Sequence, residues 1–417
     1  MVADGRVLTY AELHAAAGCC ARRLRSLGVG AGDVVATTLS PGIAFCELLH
    51  ALPLLGAALA PLDPRAPEAF PGLVVSAPPS EPEADVDLRE RVDPDAVHTV
   101  IRSSGTTGVP KQIALTYANH AASVRASAGA LGAEPGDRWL TPLPLHHVGG
   151  LGVLIRAVVN HTTVVIHERF DAERVRAALE SGEVTLVSLV PTMLARLRDA
   201  GLREAPGLRA VALGGGPVPP ELLEWAAATG IPVTPVYGMT ETASQVVAGS
   251  PGRPLAGVDL SVGADGEVLV RGAMVARDAL SADGWLHTGD RGRLDDEGRL
   301  HLEGRIKDLI VTGGEKVAPA LVEGALSAHP AVADAGVVGL ADPEWGEAVT
   351  AFVVLRERVD PEELRAWCRE RLAPHEVPKR VVAVEELPRN AAGKLMRGVL
   401  VAPGGSSRLG RMRTDNV

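Results

Sequence analysis

The 417-residue chain is 46% hydrophobic and 22% charged, an ordinary globular composition on a length that suffices for two or three domains around a well-buried core. Its formal net charge of −10 argues against general binding to nucleic acid or to an anionic membrane surface, since both depend on clustered Lys and Arg. The four cysteines, Cys19, Cys20, Cys46 and Cys368, form no Cys-x-x-Cys pair, so neither a disulfide framework nor a structural zinc site is expected.

The N-terminus, Met1 to Arg6, leads directly into a foldable segment without the apolar core or small-residue cleavage site of a signal peptide, which predicts a cytoplasmic protein. Thr9 followed by Glu12 is a capping-box pattern, after which Leu13, Ala16, Ala17, Cys20, Leu24 and Leu27 share one helical face. An amphipathic opening helix is the expectation. The glycines of Gly28-Val29-Gly30-Ala31-Gly32 follow a helix instead of a strand, so the context of a dinucleotide-binding turn is missing. Ala51 to Leu62 is apolar but broken by Pro53 and Pro61 and falls short of the roughly 20 residues of a membrane helix. It reads as a buried helix end, and membrane insertion is not expected. Residues 61–83, rich in Pro and Ala, are expected to form a loop within the first domain.

Ser103-Ser104-Gly105-Thr106-Thr107-Gly108-Val109-Pro110-Lys111 is the most informative loop. Its glycines let backbone N–H groups curl inward, its hydroxyls add donors and Lys111 adds charge, a combination that suits a polyphosphate such as that of ATP. It is not a P-loop, because Val109 and Pro110 separate the second glycine from the lysine and no hydroxyl follows Lys111. Pro110 biases the segment toward an extended or hairpin form. A plain polar surface turn is the competing reading of this stretch taken alone.

From about residue 120 to 236, β-branched runs at Thr163–Ile166, Val184–Val190 and Ala210–Leu213 alternate with helical stretches, the pattern of parallel β/α layers. Ligand loops in such layers lie at the carboxyl ends of strands. Three candidates follow strands: Pro144-Leu145-His146-His147, Gly214-Gly215-Gly216-Pro217 and Tyr237-Gly238-Met239-Thr240-Glu241-Thr242. Beyond residue 260, Asp265-Gly266, Asp283-Gly284 and Glu297-Gly298 suit tight hairpins in a β-rich region closing near Glu303. After the junction Gly304 to Asp308, helical and strand patterns alternate at Pro319–Ala328, Ala331–Leu340, Val349–Leu355 and Pro361–Leu372, which predicts an α+β lobe. Pro403 to Val417 reads as a disordered tail. The expected division is therefore 1–304, 305–402 and 403–417.

Five stretches, Ser103–Lys111, Tyr237–Thr242, His287-Thr288-Gly289-Asp290, Gly304–Gly314 and Asn390-Ala391-Ala392-Gly393-Lys394, together resemble the adenylate-forming superfamily of acyl-CoA synthetases, adenylation domains and luciferases. Their order fits that superfamily over nearly the whole chain, although the N-terminal portion is shorter than is usual there. The resemblance implies an α/β architecture of layered β/α sheets with a β-rich subdomain, followed by a small mobile α+β lobe. It also implies a two-step ligase: an acid attacks the α-phosphorus of ATP to give acyl-AMP and pyrophosphate, and a thiol then displaces AMP. Both steps depend on positioning and charge stabilisation.

What the resemblance implies for single residues follows the motifs. Ser103, Ser104, Gly105, Thr106, Thr107, Gly108 and Lys111 grip the β- and γ-phosphates, while Thr240 bonds a phosphate oxygen and Glu241 coordinates Mg²⁺, a hard cation that prefers carboxylate oxygen. Gly214, Gly215 and Gly216 let the backbone approach the adenine closely, and Tyr237 and Gly238 belong to the cofactor-binding set. Asp290 accepts from the ribose hydroxyls and Arg305 adds donors to the sugar or α-phosphate. Lys394 bridges the attacking carboxylate and the α-phosphate, Lys307 occupies the hinge position, and Gly313 and Gly314 line the path of the pantetheine arm of CoA.

For the acid, Leu143 to Gly150 contains no carboxylate to pair with an ammonium group, which disfavours an α-amino acid. His147 matches the histidine that lines the acyl pocket of members using aryl or other acids, although a lone histidine is equally often a packed core residue. The strings Pro142–Leu151 and Tyr237–Gln245 resemble the o-succinylbenzoate–CoA ligase subfamily of menaquinone biosynthesis. Such a dicarboxylate needs an apolar wall and donors for the carboxylate that is not activated. Thr192, Ser244 and Gln245 are candidates, and no cationic partner stands out. With 3% aromatic residues, ring stacking is a poor main source of affinity. Rival readings are a CoA ligase for another aryl or medium-chain acid and a catalytically silent nucleotide-binding sensor. A carrier protein in place of CoA and a homo-oligomeric state are both compatible with the sequence. Lys394→Ala is expected to damage adenylate formation far more than thioester formation from supplied acyl-AMP; equal losses, read as pyrophosphate and thioester yields, would refute the assigned role.

Overall fold

The computed structural model of the protein describes residues 1–3, 5–65, 70–103, 111–389 and 395–401. The chain forms two compact units, one from Met1–Gly215, Thr229–Leu260 and Val270–Leu286, the other from Gly216–Ala228, Ser261–Leu269 and the chain from His287 onward.

In the first unit the opening helix, Tyr10–Ser26, begins with the expected capping box: Thr9 Oγ1 accepts from Glu12 N–H and the Glu12 carboxylate accepts from Thr9 N–H. Leu13, Ala17, Cys20, Ala21 and Leu24 are buried along one face. Leu27 departs from the expectation. The helix ends at Ser26, so Leu27 is its C-cap, leaves the helical face and is 41% exposed. The apolar stretch after Ala51 closes the helix Ile43–Leu55, with Gly56 as a left-handed cap, and continues into the buried strand Ala58–Pro61.

Strands Val34–Thr37, Ala58–Pro61 and Val97–Ser103 run parallel, and Val97–Ser103 then pairs antiparallel with Lys111–Thr116, Ser103 standing opposite Lys111. The phosphate-loop sequence thus starts and ends on paired strands. A second, parallel set carries the expected β/α layers: Val233–Met239, Ala210–Leu213, Leu186–Leu189, Arg138–Thr141 and Thr163–Ile166 lie side by side in that order. The central strands Leu186–Leu189 and Ala210–Leu213, runs of Val, Leu, Ala and Ser, are buried throughout, as a strand covered on both faces requires. The loops after Arg138–Thr141, Ala210–Leu213 and Val233–Met239 are the three singled out above. Among the described residues no helix is long and apolar enough to cross a membrane.

In the second unit, strand Leu286–Leu294 turns at Glu297-Gly298 into Leu300–Arg305, placing Asp290 opposite Arg305. A 3-10 turn, Ile306–Asp308, follows directly. The hairpin of Val332–Asp342 and Gly346–Leu355, joined by the parallel strand Arg380–Val384, is covered by helices Pro319–Ser327 and Pro361–Arg369. Their core contains Val322, Leu326, Val337, Val349, Val353, Leu364 and Cys368. These elements match the α+β pattern expected for this part of the sequence.

Candidate active site

Strand Val233–Met239 ends in Tyr237-Gly238-Met239 and passes into the 3-10 turn Thr240–Thr242, so the strand delivers Thr240 and Glu241 at its carboxyl end. The turn is strained beyond it: Ala243 and Ser244 have φ of 51° and 124°, a region that side chains other than glycine rarely occupy. Fully buried Thr242 stabilises the turn from inside. Its Oγ1 accepts from Met239 N–H at 3.0 Å and donates to the Ser244 carbonyl oxygen at 2.6 Å.

The rest of the support comes from one face of the helix Tyr117–Leu131. Ser123 Oγ donates to the Ala243 carbonyl oxygen at 2.9 Å, and Ser127 Oγ accepts from Gln245 Nε2 at 2.8 Å. Asn119 Nδ2 donates to the carbonyl oxygens of Ala273 and Val275 at 2.9 and 3.0 Å, and nearby Ala276 N–H donates to the Glu241 carbonyl oxygen at 2.7 Å. None of Asn119, Ser123 and Ser127 was legible as part of the site, and Thr242 was legible only as a member of the Tyr237–Thr242 loop. Gln245, expected as a pocket donor, is buried and commits its amide nitrogen to Ser127. Ser244 is half-buried at the strained position.

Glu241 itself is half-buried, and its carboxylate makes no hydrogen bond or ion pair with any described residue. A carboxylate held on a rigid turn with its oxygens uncommitted fits Mg²⁺, which takes one or two protein carboxylates and completes its shell with water and substrate phosphate. Among the described residues there is no group of three or more His, Cys, Asp or Glu that would make a dedicated metal cage.

Two of the nucleotide-loop glycines are demanded by packing. A Cβ on Gly238 would lie 2.0 Å from the Ser244 carbonyl oxygen, and one on Gly214 would lie 2.8 Å from Val236 Cγ2. Gly215 follows Gly214 on the same loop, whereas a Cβ on Gly216 would meet nothing within 4 Å.

On the acyl side, His147 is the N-cap residue of the helix Val148–Val159. Burial pushes its imidazole down to about 4, helped by His146, so it is neutral at physiological pH. The two rings lie 4.4 Å apart, and His146 Nε2 is 3.6 Å from Asp63 Oδ2. Asp63 is in turn held by Arg65 through contacts of 3.0 and 2.9 Å, which bring its carboxyl down to about 2. Thr192 is half-buried in the first turn of the helix Pro191–Asp199.

The residue that sequence reasoning missed most plainly is Arg156, nine positions after His147 on the same helix. It is 2% exposed, Nη2 has no hydrogen-bond partner, and no described carboxylate lies within ion-pair distance. Burial lowers its guanidinium to about 10, still charged at neutral pH. Arg156 packs against His120, Ser123, Gly152 and Ala243 with no room left between them for a water molecule, and its guanidinium stands 5.6 Å from the Trp139 ring centroid. Burying a cation costs several kcal/mol on the scale of ion desolvation, which the Trp139 ring face offsets in part. Its signal was a lone Arg inside the apolar run Leu151–Val159.

In the second unit Asp290 is buried and its N–H donates to Thr288 Oγ1, which donates to the Val268 carbonyl oxygen. Arg305 Nε lies 2.8 Å from Asp290 Oδ1, and Arg305 Nη1 donates to the Thr288 carbonyl oxygen at 3.1 Å. Asp290 and Arg305, predicted to serve one sugar, are thus brought together. Lys307 stands in the Ile306–Asp308 turn, and Gly313-Gly314 form the turn between strands Ile310–Thr312 and Glu315–Val317, Gly313 N–H donating to the Trp345 carbonyl oxygen. Ser103 ends its strand and Lys111 begins the next as an exposed residue. Ser104, Gly105, Thr106, Thr107, Gly108 and Lys394 lie outside the described residues.

Comparison with known proteins gives consistent matches. Residues 1–70 and 72–278 match the family model of the AMP-binding enzymes, and residues 321–394 match the AMP-binding enzyme C-terminal domain. The chain is 40% identical to the 2-succinylbenzoate–CoA ligase of Geobacillus kaustophilus, covering 95% of this chain and 93% of the relative, and 38% identical to that of Bacillus licheniformis, covering 94% of each. Among solved structures, the Bacillus subtilis o-succinylbenzoate CoA synthetase in complex with its acyl-adenylate intermediate matches with a TM-score of 0.89 at 35% identity, over 96% of this chain and 94% of that one. The same enzyme with ATP and magnesium ion matches at a TM-score of 0.86, 35% identity and 95% and 94% coverage.

Gly238→Ala should lower stability by about 1–3 kcal/mol, the cost of overpacking against backbone, and raise the KM for ATP. Gly216→Ala should leave both near wild type. Thermal unfolding and ATP titration check the pair.

Proposed function

The chain belongs to the AMP-binding enzyme family, and on that premise we propose that it is the AMP-forming ligase that converts o-succinylbenzoate, ATP and CoA into o-succinylbenzoyl-CoA, AMP and pyrophosphate. The choice of acid is carried by the 40% identity to the 2-succinylbenzoate–CoA ligase of Geobacillus kaustophilus over 95% of the chain. The substrate has one carboxylate to activate and a second that stays ionised, and Arg156, a buried guanidinium with no ion-pair partner among the described residues, is the proposed partner of the second.

In the first half-reaction an oxygen of the aromatic carboxylate attacks the α-phosphorus, the bond to the bridging oxygen breaks, and pyrophosphate leaves with its electron pair. Asp290 accepts from the ribose hydroxyls, with Arg305 fixing its orientation at 2.8 Å. Gly214, Gly215 and Gly238 leave room for the adenine beside Tyr237, and Gly216 continues that loop. Thr240 donates to a phosphate oxygen. Glu241 holds Mg²⁺, which when bound offsets the charge of the phosphates. Ser103 to Gly108 and Lys111 grip the β- and γ-phosphates, and Lys394 bridges carboxylate and α-phosphate.

Neutral His147 lines the acyl pocket and offers a hydrogen bond without adding charge, together with Thr192 and Ser244. In the second half-reaction the CoA sulfur attacks the acyl carbon, a thioester bond forms, and AMP leaves. Lys307 serves as the hinge of a mobile lobe, residues 305–402, attached to the ATP- and acyl-binding part, residues 1–304, and Gly313 and Gly314 line the pantetheine path. A cytoplasmic setting supplies both ATP and CoA.

Coupled turnover with ATP and CoA, reading AMP and thioester, should show o-succinylbenzoate far ahead of benzoate and octanoate. Arg156→Met should raise the KM for o-succinylbenzoate by roughly 30-fold or more, about 2 kcal/mol for an unpaired buried charge partner, while leaving octanoate turnover near wild type. Equal losses for all three acids would remove Arg156 from substrate recognition, and preference for benzoate or octanoate would replace o-succinylbenzoate as the substrate.

A further inference from the structure

The Thr288-Gly289 turn that presents Asp290 is held from the side by a carboxylate. Glu267 Oε1 accepts from Gly289 N–H at 2.8 Å, and Glu267 Oε2 stands 2.8 Å from His287 Nδ1. One carboxylate therefore brackets the turn, binding the residue before Thr288 with one oxygen and the residue after it with the other. Gly289 takes a left-handed φ of 68° at this turn, and its N–H, which would otherwise need another acceptor, is met by the Glu267 carboxylate.

Glu267 is itself fixed. Its N–H donates to Asp265 Oδ1 at 3.1 Å, its carbonyl oxygen accepts from Gly263 N–H at 2.8 Å, and its side chain is mostly buried. The constraint passes on over one peptide: Asp290 N–H donates to Thr288 Oγ1, and Arg305 Nη1 donates to the Thr288 carbonyl oxygen while its Nε holds Asp290 Oδ1. Asp290 is thus located from the strand side by Arg305 and from the turn side by Glu267.

We propose that Glu267 is a positioning residue for sugar recognition: by fixing Gly289 it sets the Asp290 carboxylate for the ribose hydroxyls and so governs the preference for ribonucleotide over deoxyribonucleotide triphosphates. The proposal rests on the reading of Asp290 as the ribose acceptor. A mere brace would affect stability and all nucleotides alike. A positioning residue acts on the part of the binding energy that comes from the hydroxyls.

The test compares kcat/KM for ATP, 2′-deoxyATP and 3′-deoxyATP, with o-succinylbenzoate and CoA saturating, in the full-length enzyme. Glu267→Ala should shrink the ATP preference on the order of tenfold, chiefly through the KM for ATP, and Glu267→Gln, which keeps an acceptor for Gly289 N–H, should restore most of it. Glu267→Asp, one methylene shorter, should give the same shrinkage and stands in if the alanine variant does not fold. Asp290→Asn is the control. If it loses the preference while Glu267→Ala and Glu267→Asp keep the wild-type ratio, the positioning role is overturned. If Asp290→Asn keeps the ratio, the ribose reading falls and the proposal falls with it.

Discussion

The turn that carries Thr240 and Glu241 depends on the Tyr117–Leu131 helix, whose Asn119, Ser123 and Ser127 recur every four residues on one buried face. Two consecutive left-handed side-chain residues, Ala243 and Ser244, cost about 1–3 kcal/mol each. Each hydrogen bond that opposes this cost contributes only about 0.5–1.5 kcal/mol net. The bonds from Ser123, Ser127, Asn119, Thr242 and Ala276 are therefore needed together. Their removal would be worse than their sum, since each leaves a buried polar group unpaired. The strain purchases a turn on which the Glu241 carboxylate makes no hydrogen bond or ion pair with any described residue.

The same economy of charge shapes the acyl side. Asp63 lies near His146 and could in principle receive the ammonium of an amino acid, but Arg65 already occupies its carboxylate. His147 is kept neutral by burial. Arg156, nine positions after His147, is buried with no ion-pair partner among the described residues. The preference for a dicarboxylic acid over an amino acid rests on the similarity to o-succinylbenzoate ligases, and Arg156 is the residue proposed to act on it.

Local features were legible in the sequence where the deciding interactions are local. The capping box at Thr9, the parallel strands rich in Val and Ala, and the Asp-Gly and Glu-Gly turns all act within a few residues. Asp290 and Arg305 were legible as a pair because one motif resemblance named both, and the strand register brings them face to face. Leu27 was misplaced because the periodicity of the helix does not announce its end. The polar face of Tyr117–Leu131 was invisible for a different reason: its partners Ala243 and Gln245 stand 120 and 118 positions away, and Asn, Ser and Ser at helical spacing look like a solvated face. Arg156 and Glu267 were overlooked as ordinary charges, since only burial distinguishes them from solvated ones.

The central claim is that the chain makes an acyl adenylate before any thiol takes part. Mixing the protein with ATP, Mg²⁺ and o-succinylbenzoate in the absence of CoA, followed by rapid quench and mass spectrometry, tests it directly. Roughly one o-succinylbenzoyl-AMP and one pyrophosphate per active site are expected, and complete conversion of that adenylate to thioester and AMP when CoA is added. Pyrophosphate release that does not require the acid, or thioester formation without a preceding adenylate, would contradict it.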